Sequence, residues 1–412
     1  MGLMGLMGLM GLIAEDEALR RVLEAMPPEP SLERLPVAEC LERFLGETLT
    51  ATVAVPRFDN SAMDGYAIAA EDCGKTGVRL TVAGEQAAGA TGEHAVAPGR
   101  AVRVFTGAPI PAGAGAVVMQ EDVDVQDAGN AIAIRVAAEA GEFIRKAGAD
   151  LCPGQVLGRP GDLVTCQLAA LLCSQGIAEA AVGRRPRVAV FTTGDELVAP
   201  GDPLTSPAQI FNSNATMLAL QARKAGAASI ATAHAADQPD AIRAVFESLI
   251  ANNDFLIFAG GVSVGDRDYV KPVLEAAGVA TEFWRVNVKP GKPFLFGKTR
   301  DGKPVFGLPG NPVSAFVTFW LFVLPAIRRW SGAVEPHIAL ATVPGRLADG
   351  LHNKGDRPHW IRGTLEPTGA FRPLGLQQSH ALYSMSRANA LLRIPGNHSL
   401  ATGDPISVSL LP

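Results

Sequence analysis

The chain has 412 residues, of which 48% are hydrophobic and 19% charged, and its net charge is −5. That length predicts two to four domains of roughly 100–200 residues each, and that composition excludes wholesale disorder. No basic block stands out, which argues against nucleic acid as a partner, and no apolar stretch reads as reaching the ~18 residues of a membrane span. Cysteines 40, 73, 152, 166 and 173 are odd in number and form no C-x-x-C pair, which reads as reduced, cytosolic usage.

The chain opens on MGLMGLMGLMGL, a three-residue repeat with no positively charged flank. It is a weak signal-peptide candidate and is set aside from the fold. Residues 15–26 read as a helix, with Glu15, Asp16 and Glu17 at its start and Arg20 and Arg21 later, as the helix dipole favours. Pro27, Pro28 and Pro30 end it. Residues 56–150 are rich in Gly, Ala and Val, with alternating runs at 78–82 and 101–104, which predicts a β-rich insertion. Residues 151–183 return to helix, centred on 167–175. Residues 186–331 alternate strands near 187–191, 228–233, 255–259, 282–288 and 304–308 with helices near 213–225, 239–251, 269–277 and 312–329, a doubly wound α/β pattern. Residues 336–412 carry short strands and frequent Gly and Pro, which predicts a small β-barrel or sandwich.

Three segments of the α/β region share one grammar. Each is a short apolar run without alternation, as suits a strand covered on both faces, followed by a polar, glycine-bearing turn. Arg187-Val188-Ala189-Val190-Phe191 leads into Thr192-Thr193-Gly194-Asp195-Glu196. Phe255-Leu256-Ile257-Phe258-Ala259 leads into Gly260-Gly261-Val262-Ser263-Val264-Gly265-Asp266-Arg267-Asp268. Pro304-Val305-Phe306-Gly307-Leu308 leads into Pro309-Gly310-Asn311-Pro312. Ligands of open α/β sheets bind at the carboxyl ends of strands, so these turns are the candidate site.

Each feature also has an ordinary reading. The Gly260 loop is a tight turn or a cradle for an anion, and it matches neither the dinucleotide nor the Walker pattern. Asp195 and Glu196 are helix caps or, with Asp268, ligands for Mg²⁺. Asp237, ahead of Pro239 and Asp240, reads first as an N-cap, and Asn311 reads as the cap of the helix that begins at Pro312. Lys289 and Lys292, with Arg285 and Lys298 nearby, flank a Pro-Gly turn that suits an oxyanion or is a solvated hairpin. Asp64-Gly65 and Thr106-Gly107-Ala108-Pro109 are ordinary turn signatures. Arg362, Ser379 and Arg387 are candidate anion contacts that singly read as surface. The histidines form no H-E-x-x-H arrangement, which argues against a histidine metal site.

Taken in order, Asp59-Asn60-Ser61-Ala62-Met63-Asp64-Gly65-Tyr66, Thr106-Gly107-Ala108-Pro109, Thr193-Gly194-Asp195-Glu196-Leu197, Gly260-Gly261-Val262-Ser263-Val264-Gly265, Lys289-Pro290-Gly291-Lys292-Pro293 and Leu308-Pro309-Gly310-Asn311-Pro312-Val313-Ser314 resemble the MoeA family of molybdopterin molybdenumtransferases, related to the E domain of gephyrin. The resemblance spans residues 13–412. It implies an enzyme that takes molybdate and adenylylated molybdopterin, uses Mg²⁺ to release AMP, and yields the molybdenum cofactor. It implies a cytoplasmic homodimer whose cleft lies between the molybdopterin-binding domain of one subunit and the insertion domain of the other. It further implies a molybdopterin adenylyltransferase and apo-molybdoenzymes as partners. The implied domains are an N-terminal linking domain (13–55 with 151–185), a β-rich insertion domain (56–150), the molybdopterin-binding α/β domain (186–332) and a C-terminal β domain (336–412).

Carried over by position, the implied catalytic residues are Glu196, Asp64, Thr106 and Asp268, and the implied metal ligands are Asp195, Glu196 and Asp268. Implied substrate contacts are Gly260, Gly261, Ser263, Gly265, Asp237, Lys289, Lys292, Pro309, Pro312, Arg362 and Ser379, with Asp150 a further matched position. Arg285 departs from the family, whose bacterial members often carry lysine there. Two other readings stay open. A stand-alone adenylyltransferase would not need residues 30–185 or 336–412, and a scaffold is disfavoured because the sequence shows no long polar linker to a second α/β domain.

Overall fold

The three apolar runs of the α/β region become the middle of one sheet. The computed structural model describes residues 12–90, 94–261 and 269–412. The MGL repeat up to residue 11, and Ser263, Gly265, Asp266 and Asp268, lie outside the described residues. The chain divides into two compact units, one of residues 1–47, 160–169 and 179–412 and one of 48–159 and 170–178.

In the first unit the strands are β1 (Arg187–Thr193), β2 (Ser229–Ala235), β3 (Phe255–Ala259), β4 (Ala280–Trp284), β5 (Leu295–Lys298) and β6 (Pro304–Leu308). The helices are α1 (Ser213–Ala225), α2 (Pro239–Asn252), α3 (Val270–Ala276) and α4 (Pro312–Trp330). The sheet order is β2-β1-β3-β6-β5-β4. The first four strands are parallel, β5 runs antiparallel to β6, and β4 pairs antiparallel with β5. Strand β5 was not expected. It is four residues long and follows the Pro290-Gly291 and Pro293 breaks, so it carries little periodic signal.

Period-2 geometry sends successive β1 side chains to opposite faces. Val188 and Val190 pack with Phe319 and Phe322 of α4 and with Ala18 and Val22 of the N-terminal helix Glu15–Glu24. Ala189 and Phe191 pack with Ile242 and Phe246 of α2 and Leu274 of α3. Each fully buried aliphatic or aromatic side chain contributes about 1.5–3 kcal/mol. Both faces are therefore covered, as the doubly wound pattern requires.

Helix α4 corrects the reading that no stretch is long and apolar enough to span a membrane. Its 19 residues pass that test by length and hydropathy, yet 72% of the segment is buried inside the protein against the sheet. It contains a π-helical segment, Phe319–Val323, just before Pro325, where a proline lacks the donor for a regular ladder.

The remainder of this unit includes a closed barrel of β7 (Thr342–Leu347), β8 (His359–Leu365), β9 (Ala370–Pro373), β10 (Ala390–Ile394) and β11 (Pro405–Leu410), in the order β7-β9-β8-β10-β11. Ile361, Phe371, Leu392 and Val408 fill it. Between 151 and 183 helix is confined to Cys166–Ser174, since Pro153, Gly154, Pro160 and Gly161 break the preceding chain.

The second unit is built on a six-stranded sheet in the spatial order Ala114–Met119, Gly65–Ala69, Arg100–Val104, Arg79–Gln86, Ala131–Ile134 and Val123–Gln126. Tyr66, Ile68, Leu80, Val118 and Ile132 form its main core.

Candidate active site

Strands β1, β3 and β6 are neighbours, so their three polar turns emerge together at one edge of the sheet. Side chains from the start of α1 tie them down. Asn212 caps α1 by accepting from the Ala215 N–H at 3.2 Å, and its Nδ2 donates to Thr192 Oγ1 at 2.7 Å. Asn214 Nδ2 donates to the Gly310 carbonyl at 2.7 Å. The Gly260 N–H donates to the Leu308 carbonyl at 3.3 Å. Sequence reasoning missed both asparagines, although Asn-Ser-Asn ahead of a helix is an N-cap signal.

Gly260 has φ +104°, and a Cβ there would lie 2.8 Å from the Thr193 carbonyl oxygen. No L side chain fits without moving backbone. Gly260→Ala is expected to destabilise the protein by about 1–3 kcal/mol through strain alone. An unchanged denaturant midpoint would refute this.

Three carboxylates face this edge. Asp195 and Glu196 are exposed just past β1, and Asp195 Oδ1 accepts from the Asp237 N–H at 3.0 Å. Asp237 is not the cap of α2. Gln238 occupies that position, without a side-chain cap, and Pro239 begins the helix. The Asp237 carboxyl is pushed up from its ordinary range by burial, then by the charges of Asp195 and Glu196. A hydrogen bond with Thr193 works the other way. Asn311 does occupy the N-cap position of α4, but its side chain makes no capping hydrogen bond. Among the described residues no three His, Cys, Asp or Glu side chains form a metal group, and Asp268 lies outside them.

Cationic groups gather around the start of α4. The Pro290-Gly291 turn lies against it, since a Cβ on Gly291 would meet Thr318 Cγ2 at 2.3 Å. Lys289 and Lys292 on either side are exposed, and neither forms an ion pair among the described residues. The Lys289 N–H donates to the Pro358 carbonyl, and its own carbonyl accepts from the Trp360 N–H, both at 2.8 Å. The turn is thus stitched to β8. Arg285 is occupied elsewhere, its guanidinium 4.6 Å from the centre of the Trp284 ring. Lys298 pairs with Glu282, and Arg387 is exposed.

Arg362 is only 1% exposed, which overturns its surface reading. Its guanidinium donates to the Leu376 carbonyl at 2.8 Å and the Gln378 carbonyl at 3.4 Å, while Nε has no partner. Burial pushes it down to about 10. The next residue of this loop, Ser379, accepts from the Val313 N–H at 3.2 Å. Arg362, Ser379 and Pro312 are therefore brought to one place, at the positive end of a helix dipole.

His359, also missed, is buried with Nε2 unpartnered. Burial first, then the charges of Lys289, Arg362 and Arg357, lower it to about 4. An unfolded histidine takes its proton near 6.5, while the folded one refuses it until about 4. Stability is therefore expected to fall as pH drops from 6.5 towards 4. His359→Gln should flatten that decline in thermal melts, and an unaltered slope would contradict the assignment.

In the second unit Asp64 and Thr106 form a built pair. Asp64 Oδ1 accepts from the Thr106 N–H at 2.7 Å and its hydroxyl at 2.8 Å. These two bonds hold the exposed carboxyl below its ordinary range. Asp150 is also exposed, and its N–H donates to the Val55 carbonyl at 3.0 Å.

The chain matches three family models: the MoeA N-terminal region (domain I and II) over residues 13–176, a "Probable molybdopterin binding domain" over 189–329, and the MoeA C-terminal region (domain IV) over 344–411. It is 37% identical to the molybdopterin molybdenumtransferase of Nostoc sp., covering 90% of this chain and 86% of that protein. It is 35% identical to the molybdopterin molybdenumtransferase of Haemophilus influenzae, covering 95% of this chain and 97% of that protein. The crystal structure of the molybdopterin biosynthesis MoeA protein of Pyrococcus horikoshii superposes with a TM-score of 0.82 at 29% identity, covering 97% of this chain and all of that one. With three matched regions in one order and whole-length relatives above 30% identity, the chain belongs to the MoeA family.

Proposed function

We propose that this protein inserts molybdenum from molybdate into adenylylated molybdopterin, with Mg²⁺-dependent release of AMP, to form the molybdenum cofactor. One observation carries the reading. The turn before α4 adjoins the Gly260 turn and, through it, the end of β1 with exposed Asp195 and Glu196, while the loops of buried Arg362 and of Lys289 and Lys292, which form no ion pair among the described residues, pack on α4 itself. That division suits a metal-bound pyrophosphate next to an oxyanion.

Asp195, Glu196 and Asp268 would hold Mg²⁺, an all-carboxylate donor set of the kind that ion takes. The Asp237 carboxyl beside them is pushed up first by burial and then by the charges of Asp195 and Glu196, which a bound cation would offset. When bound, Mg²⁺ neutralises phosphoryl oxygens and polarises the phosphorus. Gly260 and Gly261 let their turn pack closely on Thr193 and Val270, and with Pro309 and Pro312 they would line the substrate's approach. Lys289, Lys292, Arg362 and Ser379 orient the molybdate oxygens. Asp64, its lone pairs already organised by Thr106, is a second catalytic carboxylate. The working form is a cytoplasmic homodimer that receives its substrate from an adenylyltransferase and passes its product to apo-molybdoenzymes.

The test is AMP release from adenylylated molybdopterin, with molybdate and Mg²⁺ each present or withheld. Release that requires both supports the reading. Consumption of ATP with accumulation of the adenylylated pterin would move the chain to the preceding adenylylation step.

A further inference from the structure

We propose that a basic cavity at the other edge of the sheet binds a small phosphate monoester carrying a planar ring. The cavity encloses about 720 Å³, within the roughly 300–1,000 Å³ of sites that hold small ligands. It lies apart from the strand-end site. Gly183 and Arg185, which line it, come just before β1, and Ala225 and Gly226 end α1. Helix α1 starts beside Thr192 at the strand ends and runs 13 residues, about 20 Å, to reach this edge.

The wall is built for an anion. Arg184 and Arg187 are both answered by Asp254 at 3.3 Å, but Arg185 between them is not. Among the described residues its guanidinium reaches only the carbonyls of Leu41 and Glu42, at 3.4 and 3.2 Å. Arg328 likewise donates, among the described residues, to the carbonyls of His337 and Ala339, at 3.1 and 2.7 Å. Burial pushes both guanidinium groups down, and at Arg185 the neighbouring charge of Arg43 adds to it. Among the described residues Glu42 supplies the one carboxylate side chain of the lining, which Pro412 also joins. Arg223 and Lys224 also line it, but they are exposed in the last turn of α1, where they answer that helix's own dipole.

The lining also carries hydrogen-bonding atoms with no partner. Arg43 Nε, Trp320 Nε1, Ser331 Oγ and Gln221 Oε1 are all buried and unbonded, on side chains at most 8% exposed. These atoms lie behind the wall and closed to solvent, so the guanidinium groups of Arg185 and Arg328 are what the cavity offers a phosphate. Phe44 and His337, with ring centroids 6.2 Å apart, supply faces for a planar ring.

Phenyl phosphate, inorganic phosphate and phenol are titrated calorimetrically into the full-length protein, its Arg185→Gln and Arg328→Met variants, and Lys292→Ala as an active-site control. Phenyl phosphate is expected to bind saturably and more tightly than either fragment. Its affinity should fall at least about tenfold in Arg185→Gln and be unchanged in Lys292→Ala. Arg328→Met repeats the loss if it folds, and Arg185→Gln decides if it does not. Absence of saturable binding, binding indifferent to Arg185, or loss in Lys292→Ala would overturn the site. Equal affinity of inorganic and phenyl phosphate would overturn the ring-bearing ligand.

Discussion

Glu196→Ala is expected to slow AMP release by about 10³-fold, the scale of removing one preorganised electrostatic element from a reacting centre. The folded state should not notice. The Glu196 side chain is exposed, and the contact that holds this turn runs through its backbone, whose carbonyl accepts from the Ile210 N–H at 2.9 Å. Surface changes of this kind usually stay within about 0.5 kcal/mol. Glu196→Gln separates charge from shape and should lose nearly as much. Activity within tenfold of wild type in a folded Glu196→Ala variant would remove Glu196 from the metal site.

Arg362→Lys is the second large effect, and it distinguishes a fork from a point charge. Arg362 lies buried in β8, reaching two loop carbonyls, and its unpartnered Nε is the donor left over. A lysine keeps the charge but cannot span those partners and an oxyanion together. KM for molybdate is expected to rise by about 10–100-fold, the worth of one hydrogen bond to a charged group, with KM for the adenylylated pterin little changed. Arg362→Met tests the same contact without charge and should show the same split at greater cost. An unchanged KM for molybdate in both folded variants would refute the anion contact.

Much of the α/β architecture was legible because it rests on short-range pattern. Unbroken apolar runs at 187–191, 255–259 and 304–308 announced strands covered on both faces, and those strands became neighbours with their polar turns together. What was lost depended on contacts distant in sequence. Arg362 carried no sign of burial, because its partners are main-chain carbonyls of residues 376 and 378 rather than a carboxylate. The placement of the Lys289–Lys292 turn came from packing against Thr318. Asp64 and Thr106 looked like two unrelated turns until folding paired them. Asp237 had the spelling of an N-cap, but α2 starts one residue later and its carboxyl turns to Thr193 instead.

The most direct test of the central claim couples two readouts in one tube: AMP released from adenylylated molybdopterin, and activity restored to an apo-molybdoenzyme, as molybdate is titrated with Mg²⁺ present. The account predicts that both rise together with molybdate, in equal molar amounts. AMP release without any restored molybdoenzyme, or restoration without AMP release, would contradict it.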